Sequence, residues 1–179
     1  MKPVPKEIYT ERLVLRAPKI NDAELIFESY ASDSEVSKYL AWKTHQSIKD
    51  SVDYLQSRIK MWNSGEKYTW VVEQKESGEF TGMYTFRWPI SFKSSISYVI
   101  ARKFWSRGFG TELTKTIVNW ALSKPEIYRI EAFCDTENLA SSRVLEKIGM
   151  EREALIKRFG YTPNISVRPR DCWCYSKVK

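Results

Sequence analysis

One stretch constrains this chain more than any other, Ser94 to Leu122. Ile96, Tyr98 and Ile100 alternate with smaller or polar residues, which predicts a strand. Leu113, Ile117, Trp120 and Ala121 recur at helical intervals, which predicts a helix. Between them lies a tight basic turn, Arg107-Gly108-Phe109-Gly110-Thr111. A strand that feeds a glycine turn and then a helix builds an anion site. The first helical N–H groups lack intrahelical partners and carry the positive end of the helix dipole. Gly108 and Gly110 let the main chain approach a ligand closely, and Arg102, Lys103 and Arg107 add full charges. The turn suits a phosphate or pyrophosphate. A Walker A loop would end in Gly-Lys-Ser/Thr, but Thr111 and Glu112 follow Gly110; a dinucleotide fingerprint would need a third glycine where Leu113 stands.

The run from Arg107 to Glu112 resembles the acyl-CoA pyrophosphate loop of the GNAT N-acetyltransferases, especially the branch that acetylates ribosomal-protein N-termini. Trp105 stands where that loop often opens with Gln or Arg. Asn138 to Met150, with Ser141 and Gly149, resembles the family's Asn-helix, and Thr10 to Arg16 resembles the branch's first strand. Together these motifs cover nearly the whole chain. The resemblance implies an α/β fold: a mixed, mostly antiparallel sheet of about seven strands, helices on both faces, and two central parallel strands that splay at their C-terminal ends. It implies acetyl-CoA as cosubstrate; one histidine and scattered cysteines give no expectation of a metal. The pantetheine arm would pair with the main chain of Val99 and Ile100. Arg102, Ser106, Arg107, Gly108, Phe109, Gly110 and Thr111 would hold the phosphates, with Asn138 and Ser141 contacting the cofactor from the second helix. Asn138 also reads as a helix N-cap.

Length suits one domain over residues 1–179 with a real core. Apolar residues at 42% exclude general disorder. No run approaches the ~20 apolar residues of a membrane span, and the first residues lack the apolar segment of a signal peptide. Three cysteines give no disulfide framework and point to a reducing compartment, the cytoplasm. The net charge of +7 fits a solvated basic surface or attraction of polyanions such as CoA phosphates or rRNA. No RNA-recognition signature stands in the strands, and DNA is not an expected partner. The oligomeric state, monomer or dimer, is invisible.

In chain order, Lys2–Ile8 reads as a loose leader and Thr10–Ala17 as a strand. Asn21 or Asp22 can cap a helix carrying Ala23, Ile26, Phe27 and Tyr30, and Asp33 or Ser34 starts a second piece. Ser47 and Asp50 form a capping-box pattern before a helix with Val52, Leu55, Ile59 and Trp62, ended by Gly65. Strands are expected at Tyr68–Gln74 and Phe80–Trp88, with Pro89 and Ser91–Ser95 as the turn into the central strand. Tyr128–Cys134 follows the glycine-turn helix as a strand parallel to the central one. Met150–Phe159 and Asp171–Val178 close the sheet around a long loop, Gly160–Arg170.

The acceptor is expected to be an amine, a protein N-terminus or a small molecule. The resemblance implies that Trp42–Gln46 and the Gly160–Arg170 loop flank its entrance, with Trp42, His45 and Tyr161 as contacts and Asn164 on the rim. An attacking amine must lose a proton. The positions where the family often carries Glu and Tyr hold Phe133 and Leu145. The proton relay is therefore left to Glu131, to Cys134, or to water. Cys134 would face the cleft only if a bulge turns the strand end. With those two residues absent, a silent acyl-CoA-binding sensor or partner-binding protein of the same fold is the alternative to an enzyme.

Overall fold

The computed structural model describes residues 4–90 and 92–179, and for 89 and 90 the main chain. The start of the expected leader at Lys2, and Ser91 of the expected turn, lie outside the described residues. The elements are β1 (Glu7–Tyr9), β2 (Leu13–Arg16), α1 (Asp22–Ile26, continued by a π-helical turn, Phe27–Ala31), α2 (Ser34–Ser37), α3 (Ile48–Ser64), β3 (Lys67–Gln74), β4 (Phe80–Ile90), β5 (Lys93–Ile100), a short 3₁₀ turn Arg102–Phe104, α4 (Phe109–Leu122), β6 (Arg129–Asp135), α5 (Leu139–Lys147), β7 (Glu151–Gly160) and β8 (Arg170–Val178). Among the described residues the sheet has eight strands, in the order β1-β2-β3-β4-β5-β6-β8-β7. The strand beyond the expected seven comes from the leader: Glu7, Ile8 and Tyr9 pair with Arg16, Leu15 and Val14. Three residues are too short to show a periodicity.

β5 and β6 run parallel, as a strand-helix-strand unit requires. Their pairing covers Lys93–Arg129, Ser94–Ile130 and Ser95–Glu131 and then stops. Beyond those residues β5 stays with β4 as far as Gly82–Ile100, and β6 stays with β8 as far as Asp135–Cys172. The two strands therefore diverge, each held by its outer neighbour. A cleft opens between them.

Alternation of side chains places helices on both faces. On one, Met83 of β4 meets Tyr30, whose hydroxyl lies 3.1 Å from its sulfur. On the other, Phe86 meets Trp120 of α4 edge-on at 5.3 Å. Trp70, Tyr84, Phe86, Leu113 and Ile117 are fully buried there. The α3 start matches its motif: Asp50 accepts the Ser47 N–H at 3.0 Å, and Gly65 ends the helix at φ +74°. At α1, by contrast, Asn21 makes no cap bond. Asp22 instead accepts the Lys19 N–H and grips Arg16 with both oxygens.

Candidate functional site

The glycine turn has the geometry of an anion site. Gly108 sits at φ +79° as the N-cap of α4, and no side chain caps the helix. The first N–H groups are left for a ligand. Ser106 also has positive φ, +61°, uncommon for a residue with a side chain. Gly110 is a different case: a Cβ there would meet Val144 at 3.5 Å and Tyr98 at 3.7 Å, ordinary contacts. Of the cations, Arg102 faces Asp33 at 3.7 Å and Lys103 pairs with Glu79. Arg107 lies over the Phe104 ring. The positive charge expected from Arg102 and Lys103 is thus partly matched by acids, while Arg143 and Lys147 on α5 line the cleft.

The turn is braced from β2. Glu112 accepts from the Thr10 hydroxyl (2.5 Å), the Arg12 N–H (2.8 Å) and Arg12 Nε (2.7 Å). Arg12 then donates to the Arg107 carbonyl at 3.0 Å and covers the Phe109 ring at 4.6 Å. Burial works against the Glu112 carboxylate, but these hydrogen bonds hold it below the usual carboxylate range. Neither Arg12 nor Glu112 shows this bracing role in the sequence, because the brace joins two motifs about a hundred residues apart. Glu112→Gln is expected to cost about 1–2 kcal/mol, since hydrogen bonds to charged groups are worth more than neutral ones but these are partly exposed. It should weaken CoA binding and leave kcat at saturating acetyl-CoA unchanged. Denaturant titration with CoA titration checks this; unchanged stability and affinity would remove the brace.

Asn138 caps α5, accepting the Ser141 N–H at 3.1 Å. Ser141 Oγ lies 3.2 Å from the Tyr98 hydroxyl, joining α5 to β5 across the cleft. Asn138→Ala should lose roughly 0.5–2 kcal/mol as a cap and also weaken CoA binding. If stability falls while affinity holds, Asn138 is a cap only.

Val99 and Ile100 turn their main-chain groups in different directions. The Ala101 N–H bonds the Thr81 carbonyl on β4, so alternation turns the polar groups of Val99 to β4 and those of Tyr98 and Ile100 to the cleft. The Val99 carbonyl accordingly lies where a side chain on Gly82 would be. Ile100 is the one of the expected pair that faces the opening, and its carbonyl accepts the Trp105 indole N–H at 2.7 Å.

The catalytic candidates separate. Glu131 does not border the cleft. It belongs to the last parallel pair, before the strands part, and is held by Arg129 at 2.8 Å and Lys93 at 3.6 Å. Cys134 does border the cleft, and without a bulge, since β6 pairs with β8 in unbroken register to Asp135. Strand separation alone opens its wall. The thiol is buried, 3.4 Å from Ser142 Oγ, and burial raises its pKa. Phe133, on the opposite face of β6, is partly exposed and packs against Phe159 with the rings tilted, centroids 4.7 Å apart.

On the acceptor side, Trp42 and Tyr161 line the cleft, a space of about 1130 Å³. His45 does not. It is buried against Trp42 and Tyr54, its Nδ1 is 2.7 Å from Ser51 Oγ, and burial lowers its pKa. The two expected flanking segments do meet, and Asn164 joins them: it accepts the Thr44 N–H and donates to the carbonyls of Ser37 and Trp42. Asn164 is a clamp between loops rather than a rim contact. Among the described residues no cluster of His, Cys, Asp or Glu is arranged to hold a metal, and no helix is long and apolar enough to cross a membrane.

The acetyltransferase (GNAT) domain model matches residues 12–151. The chain belongs to the GNAT acetyltransferase family. This acetyltransferase is 30% identical over 173 residues, 95% of each chain, to the uncharacterized N-acetyltransferase YoaA of Bacillus subtilis (strain 168). A GNAT-family acetyltransferase from Bacillus anthracis is 25% identical and superposes with a TM-score of 0.82 over 96% of this chain and 98% of that one. An acetyltransferase from Salmonella typhimurium that modifies the N-terminal serine of 50S ribosomal protein L7/L12 shares the fold at 17% identity, TM-score 0.82, over 95% and 96% of the two chains. The protein is therefore an acetyl-CoA-dependent acyltransferase, and the uncapped α4 turn fits the cosubstrate's pyrophosphate.

Proposed function

We propose that this acetyltransferase moves the acetyl group to a primary amine by direct attack in a ternary complex, the amine being a protein N-terminus or that of a small molecule, in the cytoplasm. One observation carries the reading: β5 and β6 part after Ser95 and Glu131, so the cleft is reached from both faces of the sheet. The pyrophosphate turn, Tyr98 and Ser141 border one side; Trp42, Phe133 and Tyr161 border the other. Donor and acceptor enter from opposite faces and meet between the strands. Likeness to a protein that modifies an N-terminal serine supports a peptide amine.

In the transfer the C–N bond forms as the C–S bond breaks. The nitrogen gives up one proton and the sulfur takes one. Glu131 is occupied by two cations, so the amine's proton passes to water on the acceptor side. Burial keeps the Cys134 thiol and the Tyr98 phenol protonated at neutral pH, and both border the cofactor side, where one can protonate the departing sulfur. Initial velocities over a grid of both substrates test the order of events. Intersecting lines, with kcat kept in Glu131→Gln, are expected. Parallel lines with an acetylated enzyme would contradict direct attack.

A further inference from the structure

Among the described residues, three cations on the acceptor face are in no ion pair. Lys67, at the start of β3, stands directly opposite Arg87 on β4. Like charges at opposed positions destabilise a sheet. Arg58 of α3 acts on the same ammonium. Its guanidinium lies over the Tyr54 ring at 4.6 Å, and its Nε is buried without a hydrogen-bond partner. Among the described residues the ion pairs engage other cations. Burial, then Arg58 and Arg87, bring the Lys67 ammonium down to about 8; only Glu66 opposes them. Glu131 faces the same side from β6 but is already held by Arg129 and Lys93. A fold that keeps such a group together without an acid breaks a local rule, as functional sites do.

Arg58 and Lys67 line the same cleft as Thr85 and Ser97. Thr85 is paired with Ser97 on β5 and with Thr69 on β3, its hydroxyl 3.0 Å from that of Thr69. A row of hydroxyls thus leads from the strand that borders the transfer point to the cations. We propose that Arg58, Lys67 and Arg87 form an anion subsite for the acceptor, taking a carboxylate or phosphate roughly 10 Å, two strand spacings, from the amine that reacts. This rests on the amine-transfer reading above, and it narrows the acceptor to amines that carry an anionic group.

Two measurements test it. The first needs no turnover: protein saturated with CoA, its pyrophosphate turn filled, is titrated with inorganic phosphate and followed by thermal unfolding. Phosphate should raise Tm in the wild type and not in Arg58→Gln or Lys67→Gln. No rise in the wild type, or a rise that survives both variants, overturns the subsite. The second compares the amidated tripeptides Ser-Gly-Asp and Ser-Gly-Asn as acceptors. The acidic peptide should be favoured roughly 10- to 100-fold in kcat/KM, the value of hydrogen bonds to charged groups. The preference should vanish in both variants with KM for acetyl-CoA unchanged. A third peptide, Ser-Gly-phosphoserine amide, tells phosphate from carboxylate, and preference for either over Ser-Gly-Asn supports the subsite. Equal use of Ser-Gly-Asn and both anionic peptides, Ser-Gly-Asp and Ser-Gly-phosphoserine amide, or a preference that survives both variants, overturns the proposal. If phosphate binds as expected but no peptide is acetylated, the anion subsite stands and peptide-amine transfer falls.

Discussion

Gly108→Val is expected to abolish the stabilisation that CoA gives the wild type. Gly108 lies at φ +79°, a conformation that costs a residue with a side chain roughly 1–2 kcal/mol. A Cβ there would also stand 3.4 Å from Arg12 Nη2, against the side chain that fixes the Arg107 carbonyl. A branched side chain must therefore displace the brace or rotate the turn. Either change spoils the aim of the first N–H groups of α4. CoA at a hundred times its Kd adds about 2.7 kcal/mol to apparent stability; if affinity falls about a hundredfold, little of that remains. Gly110→Ala is the control. Its Cβ would meet only ordinary contacts, with no positive φ to preserve, so it should keep most of the shift. An equal shift in Gly108→Val and wild type would remove the turn from the binding site.

Arg170→Ala is expected to produce the largest loss of stability. Asp135 ends β6 at the cleft wall, with its side chain only 1% exposed. Arg170 holds both of its oxygens, at 2.6 and 3.1 Å, and reaches Glu137 at 3.0 Å. Removing one partner of a buried pair strands the other's charge and costs about 3–5 kcal/mol. In a chain of this size that is roughly 6–20 °C in Tm, at about 2–4 °C per kcal/mol. The sign of the pH dependence follows. In the wild type, burial opposes ionisation of Asp135 but the bonds from Arg170 and the Glu137 N–H win, and its pKa is lowered. Its contribution is present above the unfolded value and is lost as pH falls through the lower, folded one. In the variant, burial acts with fewer compensating bonds and raises that pKa. Protonation then relieves the penalty, so the gap between the proteins should narrow as pH falls toward 4. A gap that is constant, or widens, would show that the lost stability does not come from the Asp135 charge.

The fold was legible where periodicity is long. The 14-residue α4 and the 17-residue α3 carry enough turns to show their apolar stripes, and the capping box marked the start of α3. β1 was not legible, since pairing with β2 rather than its own pattern makes it a strand. The cofactor side was legible because a glycine turn at a helix start is a local device, written in consecutive residues. The relay and the acceptor side depend on where separate strands stop pairing. Glu131 and Phe133 share a strand face, yet the parallel pairing ends at Glu131 and leaves it among Arg129 and Lys93. The resemblance put His45 at the acceptor entrance with its stretch, but Trp42 and Tyr54 enclose it. The cation group shows the same limit: Arg58, Lys67 and Arg87 are distant in sequence, and only strand register opposes the last two.

The most direct measurement follows free thiol from acetyl-CoA beside a panel of N-terminal peptides and small amines, with mass spectrometry of the acceptor. Thiol release that rises with one acceptor, matched mole for mole by its N-acetylated product and lost in Gly108→Val, is the expected result. Binding of acetyl-CoA with no acceptor-dependent thiol and no acetylated amine across the panel would contradict amine acetylation.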